Sequence, residues 1–108
     1  MSFDIDDNKL LDRMMELTKD ELSVVILESR YDMRFDDIAD VWNINTYTVE
    51  YMYNSALKKL LFSFMKKECP LNQENIELMK NKIKHVMNWD IKELPFYKDM
   101  RYKWQDRW

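Results

Sequence analysis

The chain has 108 residues, with one cysteine, one histidine and no glycine; 46% of the residues are hydrophobic, 34% are charged, and the formal net charge is −3. That length fits one folded core. The composition excludes an internal disulfide, a Cys/His metal centre of known spacing and the glycine-rich phosphate loops of nucleotide-binding folds, whose backbones need conformations that glycine adopts freely. Charge is uneven, with thirteen acids against five bases in residues 1–57 and twelve bases against seven acids in residues 58–108, so a polyanion would meet the C-terminal half first.

Leu10, Leu11, Met14, Met15 and Leu17 recur at helical spacing and predict a first helix over 7–17, with acids at its N-terminus where the helix dipole favours them. Thr18-Lys19-Asp20-Glu21 then reads as a capping box, in which the threonine oxygen accepts from the backbone three residues on and Glu21 reaches back. The second helix is expected to run to about Arg30, burying Leu22, Val25 and Ile26 and part of Val24 and Leu27. Asp32 sits at its end, and aspartate enters the left-handed region at modest cost.

Phe35 to Leu61 has the spacing of two helices joined by a tight turn. Ile38, Ala39 and Trp42 share one face of a short helix; Asn43-Ile44-Asn45 forms the turn; Val49, Met52, Ala56, Leu57 and Leu60 mark one face of a longer helix. Ala39 suits a close helix crossing. Asn43 can take the left-handed turn conformation, and Asn45 is a good N-cap. Tyr47 and Tyr51 lie off the buried stripe, where exposed aromatic residues mark contacts.

The run Phe62, Phe64, Met65 stays apolar, and Cys69-Pro70 ends or interrupts the helix. Asn72 can cap a further amphipathic helix with Ile76, Met79, Ile83, Val86 and Met87 on one face, and His85 is expected on its basic, solvent-facing side. Pro95 breaks the chain before a short helix carrying Phe96, Met100 and Trp104, and the basic-aromatic end Tyr102 to Trp108 either packs back onto the helices or is presented to a partner. Asp36-Asp37 reads as a helix N-terminus and not as a catalytic pair, because adjacent helical residues diverge by about 100°. No catalytic constellation, cofactor motif or metal-ligand set emerges, so the chain reads as a non-enzyme. Its acidic start is unlike a signal peptide, and no apolar run approaches the roughly 18 residues of a membrane span, so a cytoplasmic protein is expected.

Leu17-Thr18-Lys19-Asp20-Glu21, Asp36-Asp37-Ile38-Ala39, Asn43-Ile44-Asn45, Thr48-Val49 and Ala56-Leu57-Lys58-Lys59-Leu60 stand in an order and spacing that resembles region 4 of bacterial sigma factors. The resemblance covers residues 17–61. It implies an all-α fold: a sigma region 4-like helix-turn-helix domain over 1–68, followed by a basic, aromatic-rich C-terminal helical extension over 69–108. It also implies a role in transcription, with the flap of the RNA polymerase β subunit gripped by an apolar concavity on the helices from Leu10 to Arg30, for which Leu22, Val25 and Ile26 are the candidate floor.

The second motif helix of sigma factors reads the DNA major groove with basic residues, whereas no Lys or Arg occurs here between Phe35 and Leu57, a stretch that carries Asp36, Asp37, Asp40 and Glu50. Phosphate neutralisation supplies nearly all non-specific DNA affinity. The leading expectation is therefore a polymerase-docking coactivator of bacteriophage type with weak or no intrinsic DNA binding. The alternative is a DNA-binding regulator that reads duplex through Asn45, Thr46, Tyr47, Thr48, Tyr51 and Asn54, with Lys58, Lys59 and the basic C-terminal half on the phosphates.

Overall fold

The first three helices start and stop on local signals. In the computed structural model, which describes residues 5–65 and 73–89, Asp6 caps α1 (Asp7–Met14) by accepting from the backbone N–H of Lys9 at 3.1 Å. The helix ends three residues before the expected Leu17. Glu16 and Leu17 bond to the carbonyls of Arg13 and Met14, and this tighter turn leads the chain into the extended conformation of Thr18.

Both halves of the predicted capping box form at the start of α2 (Lys19–Tyr31): Glu21 N–H donates to Thr18 Oγ1 at 3.2 Å, and Thr18 N–H donates to Glu21 Oε1 at 3.0 Å. Asp32 stops the helix in the left-handed conformation, φ 54° and ψ 31°, and the N–H of Met33 closes the end on the carbonyl of Leu27. Burial differs from the one-sided stripe expected: every residue from Glu21 to Leu27 is buried, Val24 and Leu27 completely. The reason is position. α2 is packed by α3, α4 and α5 on several sides.

α3 (Phe35–Trp42) and α4 (Thr46–Met65) are joined by the predicted turn, with Asn43 left-handed at φ 55° and ψ 49°. Ile44 N–H bonds to the carbonyl of Ala39, and the Asn45 side chain accepts from the N–H of Tyr47 at 2.7 Å. Ala39 is 4% exposed where α3 meets α4. Val49, Ala56, Leu57 and Leu60 are buried as their spacing requires and Met52 is half-buried, while Tyr53 and Leu61 widen the buried face.

α5 (Gln73–Met87) returns over α2, α1 and α4 and buries Met79, Ile83, Val86 and Met87 in the same core as the other helices. Polar contacts fix its C-terminal half. The Arg30 guanidinium donates to the carbonyls of Met87 and Trp89; Lys82 Nζ lies 2.6 Å from Asp7 Oδ1, and His85 Nε2 lies 3.3 Å from Asp7 Oδ2. The described residues form an all-α globule of five helices without strands, and no helix among them is long and apolar enough to cross a membrane. The expected break at Cys69-Pro70, the cap at Asn72, the break at Pro95, the helix with Phe96, Met100 and Trp104, and the basic-aromatic end lie outside the described residues.

Candidate functional site

α4 has two opposite faces. One carries Val49, Tyr53, Ala56, Leu57 and Leu60 into the core. At about 100° per residue, Tyr47, Tyr51, Asn54, Lys58 and Phe62 fall within an arc of roughly 80° on the other side. Tyr47 is 80% exposed, Tyr51 74% and Phe62 57%. Two shallow hollows of about 520 Å³ each lie along this face, the first lined by Tyr47, Thr48, Glu50, Tyr51 and Asn54, the second by Tyr51, Asn54, Ser55, Lys58, Lys59 and Phe62.

Of the eight residues that sequence assigns to DNA contact, seven are exposed: Asn45, Tyr47, Thr48, Tyr51, Asn54, Lys58 and Lys59. Thr46 and Lys59 are engaged with other side chains of the protein. Thr46 is half-buried and its hydroxyl donates to Asp36 Oδ1 at 3.3 Å. Lys59 Nζ lies 2.9 Å from Glu21 Oε1, so its half-exposed ammonium is paired with a carboxylate whose side chain is 8% exposed. Glu50 lines this face beside Tyr47 and Tyr51, Asp36 stands at its α3 end, where it accepts from Thr46 and lies 3.7 Å from Arg34, and Asp37 and Asp40 are exposed on α3. The face is therefore aromatic along its length, acidic at the α3 end and basic at Lys58, which differs from the uniformly cationic surface that duplex phosphates require.

The Glu21 site was not foreseen from sequence. Glu21 accepts from Thr18 N–H, from Ser55 Oγ at 2.7 Å and from Lys59. Burial alone would raise its carboxyl pKa, but the hydrogen bonds from Lys59, Ser55 and Thr18 outweigh it and hold the group below its ordinary value. Tyr53 shows the opposite case: burial, reinforced by the Glu28 carboxylate that accepts its hydroxyl at 3.1 Å, pushes the phenol above its ordinary range. The Tyr53 ring is packed at 5.0 Å from Phe35 and lies under Lys80 at 5.6 Å, so it acts as a structural pillar between α3, α4 and α5. Phe62 was also missed as a surface residue, although its spacing of eleven from Tyr51 continues the exposed stripe.

Leu22, Val25 and Ile26, the expected floor of a polymerase-binding concavity, are 6%, 0% and 0% exposed. They are core residues. The correction has a physical cause: α5 and α4 both pack on α2, so the chain itself supplies the apolar cover that an open groove would have left to a partner. Among the described residues, no group of three or more His, Cys, Asp or Glu side chains could hold a metal ion. No family model matches the chain, and no curated protein or solved structure matches it.

Proposed function

We propose that the protein regulates transcription by docking on bacterial RNA polymerase and has little affinity of its own for duplex DNA. The reading rests on the sigma region 4-like order of segments between Leu17 and Leu61. One observation of the structure carries it further: the outer face of α4, where a promoter-reading helix would present cations, carries exposed Tyr47 and Tyr51 beside Glu50, and Lys59 is paired with Glu21. No step of this function needs a cofactor or a catalytic group.

Because Leu22, Val25 and Ile26 are buried, docking on the β flap falls to the outer surface of α1 and α2, where Met15 is 50% exposed. A partner helix does not displace α5. Uncovering Met79, Ile83, Val86 and Met87 would cost about 1.5–3 kcal/mol each, together comparable with the whole stability of a small domain. The alternative reading, a DNA-binding regulator, draws on four candidate DNA-contact residues, Tyr47, Tyr51, Asn54 and Lys58, on one open face. Salt separates the two, since phosphate contacts weaken steeply as salt rises and an apolar docking surface does not.

The test is binding of the full chain to purified core polymerase and to an isolated β-flap fragment, beside titration of duplex DNA. The expected result is polymerase binding that survives raised salt and is lost in Met15→Glu, with duplex affinity no tighter than the ~10⁻⁴ to 10⁻⁶ M of non-specific binders. Absence of binding to any polymerase subunit, or a sequence-selective nanomolar DNA complex, would overturn the proposal.

A further inference from the structure

The exposed stripe of α4 is self-complementary. Tyr47, Tyr51, Asn54, Lys58 and Phe62 follow one another at intervals of three or four residues over about 22 Å of helix. The bulky aromatics stand at the two ends of the stripe, the small side chains of Asn54 and Ser55 at its middle, an acid (Glu50) towards one end and a base (Lys58) towards the other. A stripe with this polarity matches a copy of itself laid in the opposite direction. With the crossing point between Asn54 and Ser55, Tyr47 comes opposite Phe62 of the second copy, Tyr51 comes opposite its Lys58, and Glu50 comes within reach of the same Lys58.

We infer that α4 is a homodimerisation surface, on which a second copy of this chain packs its own α4 antiparallel about a two-fold axis at Asn54–Ser55. Three features support a second copy as the occupant, and in such an isologous interface each contact is made twice. The Tyr47–Phe62 contacts place aromatic against aromatic, and Lys58 over Tyr51 places a cation on an aromatic face. The Glu50–Lys58 pairs complement each other across the axis, whereas a parallel pairing would set Glu50 against Glu50 and Lys58 against Lys58. Finally, the small residues at the crossing let two helix axes approach to about 8–10 Å, and the Asn54 amides meet there and fix the register. The two hollows flanking Tyr51 are the spaces into which side chains of the second helix fit.

One helix stripe buries less than the roughly 800 Å² per partner of a standard interface, so the dimer is a weak one, with a dissociation constant of about 10–500 µM. This inference is independent of the polymerase reading, and its test involves no polymerase.

The experiment is sedimentation velocity of the full chain across that concentration range, with circular dichroism on every variant to confirm helix content. Wild type is expected to shift from monomer to dimer. Tyr51→Asp and Glu50→Lys each weaken the dimer at least tenfold, and Glu50→Lys combined with Lys58→Glu restores it. Positions 50 and 58 lie two turns apart on their own helix, so recovery can arise only between copies. With Cys69→Ser as background, Asn54→Cys is expected to form a disulfide-linked dimer. Tyr47→Cys cross-links only when mixed with Phe62→Cys. A chain that remains monomeric throughout, a charge swap that fails to restore association, or Tyr47→Cys cross-linking to itself as readily as Asn54→Cys would each overturn the inference.

Discussion

The Lys59 ammonium meets the Glu21 carboxylate at 2.9 Å across the contact between α4 and α2, and the same carboxylate closes the capping box at Thr18 and accepts from Ser55. One side chain thus joins a helix start to the middle of another helix. Glu21→Ala is expected to destabilise the fold by about 1–3 kcal/mol, since it removes one half of the capping box and leaves Ser55 and Lys59 without their acceptor. Lys59→Ala should cost less than about 1 kcal/mol, because its side chain is 53% exposed and solvent screens the pair. Urea denaturation of both variants checks the order; equal losses would place the stabilisation in the ion pair alone.

The pH dependence follows from two depressed carboxyls. Glu21 lies below its ordinary value of 4.5 for the reasons given above. Asp7 lies below 3.8, chiefly through the hydrogen bond from Lys82, against a smaller desolvation, with the attraction of Lys82 and His85 added. In both cases the unfolded chain takes up the proton first. The stabilisation is therefore fully present above the unfolded values and is lost as pH falls below them and through the folded ones. The urea midpoint should fall between pH 5 and 3, and the combined variant Glu21→Gln, Asp7→Asn should show a shallower fall than wild type over that window.

At the α3–α4 turn the backbone conformation selects the residue. Asn43 has φ 55°, and its N–H bonds to the carbonyls of Ala39 and Asp40. Asn43→Ala is expected to cost about 1 kcal/mol, because a Cβ without a local polar partner disfavours the left-handed region, whereas Asn43→Gly should remain within about 0.5 kcal/mol of wild type. Thermal denaturation of the pair distinguishes this from a side-chain role, in which both variants would lose alike.

α5 is part of the core, and this has a measurable consequence. Ile83 is fully buried, so Ile83→Ala should cost about 2–5 kcal/mol in a single cooperative transition that includes α1 and α2. A separate low-stability transition confined to α5 would show instead that the helix is an independently melting appendage.

Local signals were legible in the sequence and distant ones were not. Thr18 and Glu21, Asp32, Asn43 and Asn45 each act within about one and a half helical turns, and each does in the structure what its chemistry dictates. The stripe Val49, Ala56, Leu57 and Leu60 was legible because one face of α4 is wet and the other dry. Periodicity was less informative at α2, where a run buried on several sides carries no one-sided pattern; the open groove for Leu22, Val25 and Ile26 came from the sigma region 4 resemblance, and all three are buried. The Glu21–Lys59 contact spans 38 positions and the clamp of Arg30 on Trp89 spans 59; nothing local announces either. The acidic flank of α4 was legible as charge, but that Lys59 is paired and Phe62 exposed depended on which helix lay beside them.

The return of α5 to α1 bears on the route by which the chain folds. α2, α3 and α4 are consecutive and pack on one another, and the α2–α4 contacts Glu28–Tyr53 and Glu21–Lys59 span 25 and 38 positions. Seating α5 under Arg30 and against Asp7 closes loops about twice as long, with entropy to be overcome before any contact forms. The α2–α4 unit therefore nucleates, and α5 docks after the barrier. Kinetics should divide accordingly: a substitution at Ala39 slows refolding, whereas one at Ile83 leaves refolding nearly unchanged and accelerates unfolding.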